Sequence, residues 1–228
     1  VALIGAFDRA MAATGAKALT QRAIAILAHA LEESVAGVPC GLQDQLAAVY
    51  GGVNAWHWPG EMHGPPFRRA TVIKKNGHAR LARHILLAYC GVPHVSKDIN
   101  SEWVLQFLSG RFRHQWREIV VTTQRFVRAL AKGDWSAAVA AMQAETAMRL
   151  EMTPQVLDAI GVQLVQAAAA QHCGARFTGA GGGGCVWALG RSKRIDRLRG
   201  IWENILATHP DAVLLDFEID GQGLIVED

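Results

Sequence analysis

No apolar run in the chain approaches the roughly 20 residues that a membrane-spanning helix needs. It does not open on a positively charged and then apolar stretch of the signal-peptide kind. Cysteine is scarce. Cys40, Cys90, Cys173 and Cys185 have no C-x-x-C spacing, so they read as buried or half-buried thiols of a reducing compartment rather than as metal ligands. The nine histidines are dispersed and include no H-E-x-x-H pair. The 23 Lys and Arg residues are scattered among 20 Asp and Glu, for a formal net charge of +3, so no basic stripe marks a nucleic-acid face. There is no internal repeat. The expected setting is the cytoplasm, without nucleic acid or membrane as a partner.

Two nucleotide-binding signatures are also lacking. The chain has no G-x-x-x-x-G-K-[ST] loop, and its glycine run is not a G-x-G-x-x-G turn leading from a strand into a helix. What it has is Gly179-Ala-Gly-Gly-Gly-Gly184, with five glycines in six positions. Glycine gives up more backbone entropy on folding than alanine, about 0.5–1 kcal/mol in a regular element. Such a run implies that several residues need positive φ or that something approaches the backbone closely. Successive exposed N–H groups form a concavity for an anion, most often phosphate. The pattern places the run after a helix and before a strand at Cys185–Leu189.

The 228-residue chain as a whole, 50% apolar and 19% charged, has ordinary globular composition. Residues 1–14 read as a helix ended by Gly15. Val1 is followed by helical residues without a capping side chain, so the chain is expected to be the later part of a longer protein. Lys17–Ser34 is a second helix, on which Leu19, Ala23, Ile26, Leu27, Ala30 and Leu31 share one face. Leu42–Tyr50 is a short helix stopped by Gly51-Gly52. Strands are predicted at Val53–Trp58, Ala70–Lys75 and His84–Cys90. Helices follow at Lys97–Ser109, Arg113–Lys132, Trp135–Arg149 and Pro154–Gln171, with Asp134 and Thr153 as N-caps. His94-Val-Ser96 reads as a loop that lines a cleft or caps the next helix. After Ser192–Leu206, strands at Ala212–Ile219 and Leu224–Val226 are joined by an Asp220-Gly-Gln-Gly223 hairpin. Uneven alternation of helices and strands argues for an α+β fold, helices packed on a largely antiparallel sheet.

Asp44 is the candidate for chemistry. It lies on a short helix with Gln43 and Gln45 beside it, a setting suited to orienting a hydroxyl and taking its proton. A surface carboxylate favoured by the helix dipole is the alternative.

Phe177-Thr-Gly-Ala-Gly-Gly-Gly-Gly-Cys-Val-Trp-Ala-Leu189 resembles the third motif of the GHMP kinases (galactokinase, homoserine kinase, mevalonate kinase, phosphomevalonate kinase). Gly41-Leu-Gln-Asp-Gln45, trailed by Gly51-Gly-Val-Asn54, is similar to the segment that carries the catalytic Asp in the galactokinase-like branch. Gln43 and the Gly-Gly-x-Asn tail look more like the heptose-phosphate kinases. The resemblance implies a GHMP-kinase-like fold, with residues 1–68 as the remainder of the N-terminal domain and 69–228 as the C-terminal domain. It implies ATP-dependent phosphorylation of an anomeric hydroxyl, most of all on D-glycero-D-manno-heptose 7-phosphate. A galactokinase or fucokinase type, or a non-catalytic galactokinase-like sensor, is the alternative. By the same resemblance Asp44 is catalytic. Gln43, Gly51 and Gly52 contact the substrate. Thr178, Gly179, Ala180, Gly181, Gly182, Gly183 and Gly184 bind the ATP phosphates. ATP and Mg²⁺ are the implied cofactors, with the metal ligands mainly in the family's first two motifs, which are not in this sequence. The chain alone is therefore expected to be inactive. The implied partner is a small-molecule sugar, and the implied assembly a monomer or homodimer.

Overall fold

A computed structural model describes residues 1–37, 41–60, 63–93 and 96–225. Cys40, the His94-Val95 pair and Val226 lie outside them. The chain forms two compact units, one of residues 1–78 with 219–228, the other of 79–218. The C-terminal segment thus belongs with the first unit.

In the first unit, α1 (Ala2–Ala13) and α2 (Gln21–Ala36) precede α3 (Gln43–Tyr50) and an antiparallel hairpin, β1 (Val53–His57) with β2 (Arg68–Ile73). Thr20 starts α2 by accepting a hydrogen bond from the Ala23 N–H at 3.2 Å, and Gly37 stops it at φ 64°. The face of α2 that packs is Ile24, Ala25 and Ala28, not the stripe read from the spacing. Leu27 and Leu31 are more than 40% exposed, and Val35 is 87% exposed. Small side chains let α3 approach closely on one side, while the larger apolar stripe is left on the surface. Leu3, Phe7 and Met11 of α1 are exposed as well, an apolar surface of the kind that marks interaction faces.

The core of this unit is Ile24, Ala25, Leu46, Val49 and Phe67. Tyr50, Trp56 and Phe67 add tilted and edge-on ring contacts at 5.4–6.3 Å. The predicted Asp220–Gly223 hairpin does not form. Asp220 instead accepts bonds from the Gln222 and Gly223 N–H groups at 2.8 and 3.2 Å. The chain then docks Leu224 on α3, where its N–H donates to the Val49 carbonyl at 3.1 Å. The aspartate side chain turns the backbone by itself, which removes the need for strand pairing.

The short helix α4 (His78–Ala82) leads into the second unit. There β3 (Ile85–Tyr89) is followed by α5 (Ser96–Leu108), α6 (Arg113–Lys132), α7 (Trp135–Met152), a 3₁₀ turn at Pro154–Val156 and α8 (Ala159–Ala170). The chain ends this unit with β4 (Gly174–Phe177), β5 (Cys185–Leu189), α9 (Ser192–Leu206) and β6 (Val213–Leu215). The sheet order is β4-β5-β3-β6, antiparallel throughout, as the α+β reading expects. Leu86, Leu164, Phe177, Leu198 and Trp202 are buried between sheet and helices. The Trp202 indole N–H donates to the Leu164 carbonyl at 3.1 Å, which satisfies its one polar atom.

Asp134 caps α7 as expected, accepting from the Ala137 N–H at 3.1 Å. Thr153 does not cap α8. It is fully buried and accepts from the Trp103 indole N–H at 3.0 Å. Asp158 takes the capping role, accepting from the Gly161 N–H at 2.6 Å, so the helix starts five residues later than the Pro154 signal suggests.

Strand β4 is an edge, and α7 seals it. Gln143 donates to the Cys173 carbonyl at 2.9 Å and Thr146 to the Ala175 carbonyl at 3.1 Å. Between them Glu145 receives Arg176 Nε at 2.7 Å and Arg149 Nε at 2.9 Å. Burial pushes the Glu145 carboxyl up, but the Arg176 and Arg149 guanidiniums outweigh it and hold the group below its ordinary 4.5. The Arg149 guanidinium sits 4.4 Å from the Trp103 ring and 4.9 Å from the Trp116 ring.

Candidate functional site

The first group of site residues lies on and after α3. Leu46 and Val49 bury one side of this helix, which leaves Gln43 and Asp44 on its exposed side, in the first turn. A carboxylate there is stabilised by the partial positive charge of the helix start, by about 0.3–1 kcal/mol at an exposed site. Gln45 points the other way. It is buried, and its amide nitrogen donates to Glu32 on α2. The two glutamines flanking Asp44 thus have different work: one faces solvent with it, the other fastens α3 to α2.

Gly51 and Gly52 have φ values of 57° and 72°. A β-carbon on Gly51 would collide with the backbone of Gln222 and Gly223. The Gly52 N–H donates to the Asp220 carbonyl at 2.6 Å. The Asn54 side chain returns to the Gly51 carbonyl at 2.7 Å. The Gly-Gly-x-Asn segment is therefore built as a seat for the C-terminal segment. Its glycines are accounted for by that close approach.

The second group is the glycine run in the other unit. It does not follow a helix. Four residues of β4 precede it, so the run is the turn of the β4–β5 hairpin, with the Thr178 N–H closing it onto the Cys185 carbonyl at 2.9 Å. Sequence reasoning missed β4 because Gly174-Ala-Arg-Phe is short and begins with a poor strand former.

All five glycines have positive φ, from 56° at Gly179 to 107° at Gly183, which is why alternatives to glycine would be strained. The run is not an open ribbon. The Gly181 N–H donates to the Thr178 carbonyl at 3.2 Å, Gly182 to Val156 at 3.0 Å and Gly184 to Val92 at 2.8 Å. A β-carbon at Gly181 would strike the Val156 backbone, and one at Gly183 would lie 2.6 Å from the Pro93 carbonyl oxygen. Two neighbouring segments, Val92-Pro93 and Val156, thus clamp the turn. The N–H groups of Gly179, Ala180 and Gly183 have no hydrogen-bond partner among the described residues. Gly179 and Thr178 are exposed, and nothing lies within 4 Å of a β-carbon built on Gly179. Ala180 and Gly183 are buried, so the exposed apex offers an anion the Gly179 donor, held in shape by the spent ones.

Cys90 and Cys185 flank this turn. Burial, Asp158 and Cys185 push the Cys90 thiol up to about 12, and burial raises that of Cys185, so both stay protonated and take no nucleophilic role. Among the described residues no group of three or more His, Cys, Asp or Glu could hold a metal ion.

The family described as the GHMP kinases N terminal domain matches residues 1–52. No curated protein matches the chain. Among solved structures, phosphomevalonate kinase of Streptococcus pneumoniae, in complex with phosphomevalonate and AMPPNP, is similar with a TM-score of 0.71 at 16% identity, over 91% of this chain and 64% of that one. Galactokinase of Lactococcus lactis, complexed with galactose, is similar at 0.63 and 20% identity, over 90% of this chain and 61% of that one. A D-glycero-D-manno-heptose 1-phosphate kinase from Bacteriodes thetaiotaomicron is similar at 0.63 and 16% identity, over 92% and 57%. At these identities the likeness is one of fold: the chain has the mixed helical and antiparallel fold of GHMP-family kinases. It spans between 57% and 64% of the length of these three neighbours.

Proposed function

We propose that the chain is part of a GHMP-type kinase that transfers the γ-phosphoryl group of ATP to the anomeric hydroxyl of a sugar phosphate, a D-glycero-D-manno-heptose 7-phosphate first among substrates. The observation that carries this reading is the clamped glycine turn, with the unspent Gly179 N–H at its exposed apex and those of Ala180 and Gly183 at buried positions behind it. The family match over residues 1–52, which include Asp44, supports it.

In this reading Asp44 accepts the proton of the sugar hydroxyl as that oxygen bonds to the γ-phosphorus and the bond to the ADP oxygen breaks. Such transfers depend on positioning and charge stabilisation more than on covalent help from the protein. The N–H group of Gly179, at the exposed end of the turn, stabilises phosphate charge without reorganising. Gln43, beside Asp44, orients the sugar. The described residues offer no built metal cluster, so Mg²⁺ is assigned to none of them and is expected to arrive with the nucleotide phosphates. Activity belongs to a polypeptide that also supplies the family's first two motifs, and residues 1–228 alone are expected to be inactive.

Heptose 7-phosphate ranks above galactose and fucose because of Gln43 and Gly51-Gly-Val-Asn54. The test is ADP release by the intact protein against heptose 7-phosphate, galactose, fucose and mevalonate. The reading expects turnover with a sugar and phosphate at its anomeric oxygen. Turnover with mevalonate alone overturns it.

A further inference from the structure

A groove of about 590 Å³ runs along α7 in the second unit, within the roughly 300–1,000 Å³ of small-molecule sites. Val139, Ala147 and Leu150 of α7 and Val165 and Ala169 of α8 give it an apolar strip, and the Gln143 and Thr146 groups that also line it are spent on the Cys173 and Ala175 carbonyls. One end is cationic. Arg191 and Arg194, from the start of α9, line it with His172, from the link between α8 and β4. Trp135 belongs to the same end: His84 stacks on it at 3.7 Å and hydrogen-bonds the Gly190 carbonyl at 2.8 Å, next to Arg191. Leu150 lies fifteen residues along α7 from Trp135, about 22 Å of helix. None of the lining side chains is acidic.

Two features of the cationic end are unexplained by folding. Arg191 is the N-cap of α9 and Arg194 lies in its first turn, where the partial positive charge of the helix start disfavours a cation. Arg194 gives one bond, to the His172 carbonyl at 3.3 Å, and neither arginine has a carboxylate partner among the described residues. His172 holds φ at 52°, just past the end of α8, where glycine would cost less. An imidazole is kept at the groove in spite of that cost.

We propose that this groove binds an amphiphilic anion: a phosphate or carboxylate head on Arg191, Arg194 and His172, and an unbranched apolar chain along the α7–α8 floor. Guanidinium groups suit both heads through paired N–H bonds. Its head-binding residues His172 and Arg191 flank the Gly174–Leu189 pair, at the opposite end of the β4–β5 hairpin from the glycine turn. Its ligand is therefore distinct from a phosphoryl donor held at that turn, and the proposal stands independently of the kinase reading.

Calorimetric titration of the intact protein with hexyl phosphate, hexanoate, inorganic phosphate and hexanol separates head from chain. Single-site binding of hexyl phosphate or hexanoate tighter than about 1 mM is expected, with inorganic phosphate and hexanol weaker by about tenfold or more. The R191A/R194A pair should lose about tenfold or more of that affinity. Ala147→Trp, at an exposed position, should block the chain while leaving the circular dichroism spectrum and melting unchanged. His172→Gly should weaken binding without lowering the melting temperature. The proposal is overturned if neither hexyl compound binds, if binding survives both R191A/R194A and A147W, or if inorganic phosphate binds as tightly as hexyl phosphate.

Discussion

Gly183 packs against Pro93 so closely that a single β-carbon would come within 2.6 Å of the Pro93 carbonyl oxygen. Gly179, four residues earlier in the same turn, has open space around it. The two glycines therefore predict different costs. Gly183→Ala adds a backbone collision to the penalty of φ 107° and should cost about 3 kcal/mol or more. Gly179→Ala bears the positive φ alone, about 1–2 kcal/mol. Thermal unfolding should rank them in that order, and equal losses would mean that the clamp does not exist.

Asp44→Asn keeps the size of the side chain and removes its ability to take a proton. In the intact protein, turnover should fall by about 10²–10⁴-fold, while ATP affinity, measured by equilibrium dialysis, should stay within about twofold of wild type. A variant turning over at near the parental rate would remove Asp44 from the chemistry.

Glu145 is buried between Arg149 and Arg176. Its folded-state pKa is depressed, so its contribution to stability is complete above the ordinary 4.5 and is lost as pH falls through the lower, folded value. Denaturant midpoints should decline below about pH 4.5, and Glu145→Gln should flatten that part of the decline. At neutral pH the same variant leaves two half-buried cations without their shared carboxylate and should cost about 3 kcal/mol.

Burial pushes the Cys173 thiol up to about 11 against the pull of Arg194, and Cys90 stands at about 12. Iodoacetamide at about pH 8 should spare both in the native protein, since thiolate is the reactive form. After denaturation mass spectrometry should find all four cysteines modified. Rapid native labelling at Cys90 would show that the hairpin beside it opens.

What could be read in the sequence followed strong local signals. Helix α6 runs from Arg113 to Lys132 as its pattern indicates, because Gly133 ends it at φ 69° and Asp134 caps the helix that follows. The glycine run was legible as a place of positive φ and close approach, but what approaches it was not. Val92, Pro93 and Val156 are about 90 and 26 residues away, and no local pattern couples them to the turn. The α2 stripe misled for a related reason: periodicity identifies an apolar face but does not say which neighbour covers it. At the C-terminal segment two turn signals competed. The Asp220 side chain bent the backbone alone, and the expected strand pair gave way to docking on Val49.

The seal on β4 has a cost outside the native state. A strand can be protected by another strand, but here the protection is two side chains, Gln143 and Thr146, carried on a helix. Should α7 fray or detach, the Cys173 and Ala175 carbonyls become acceptors for any extended backbone nearby. The helix that holds the buried ion pair is thus also the barrier between a folded molecule and sheet-templated polymerisation.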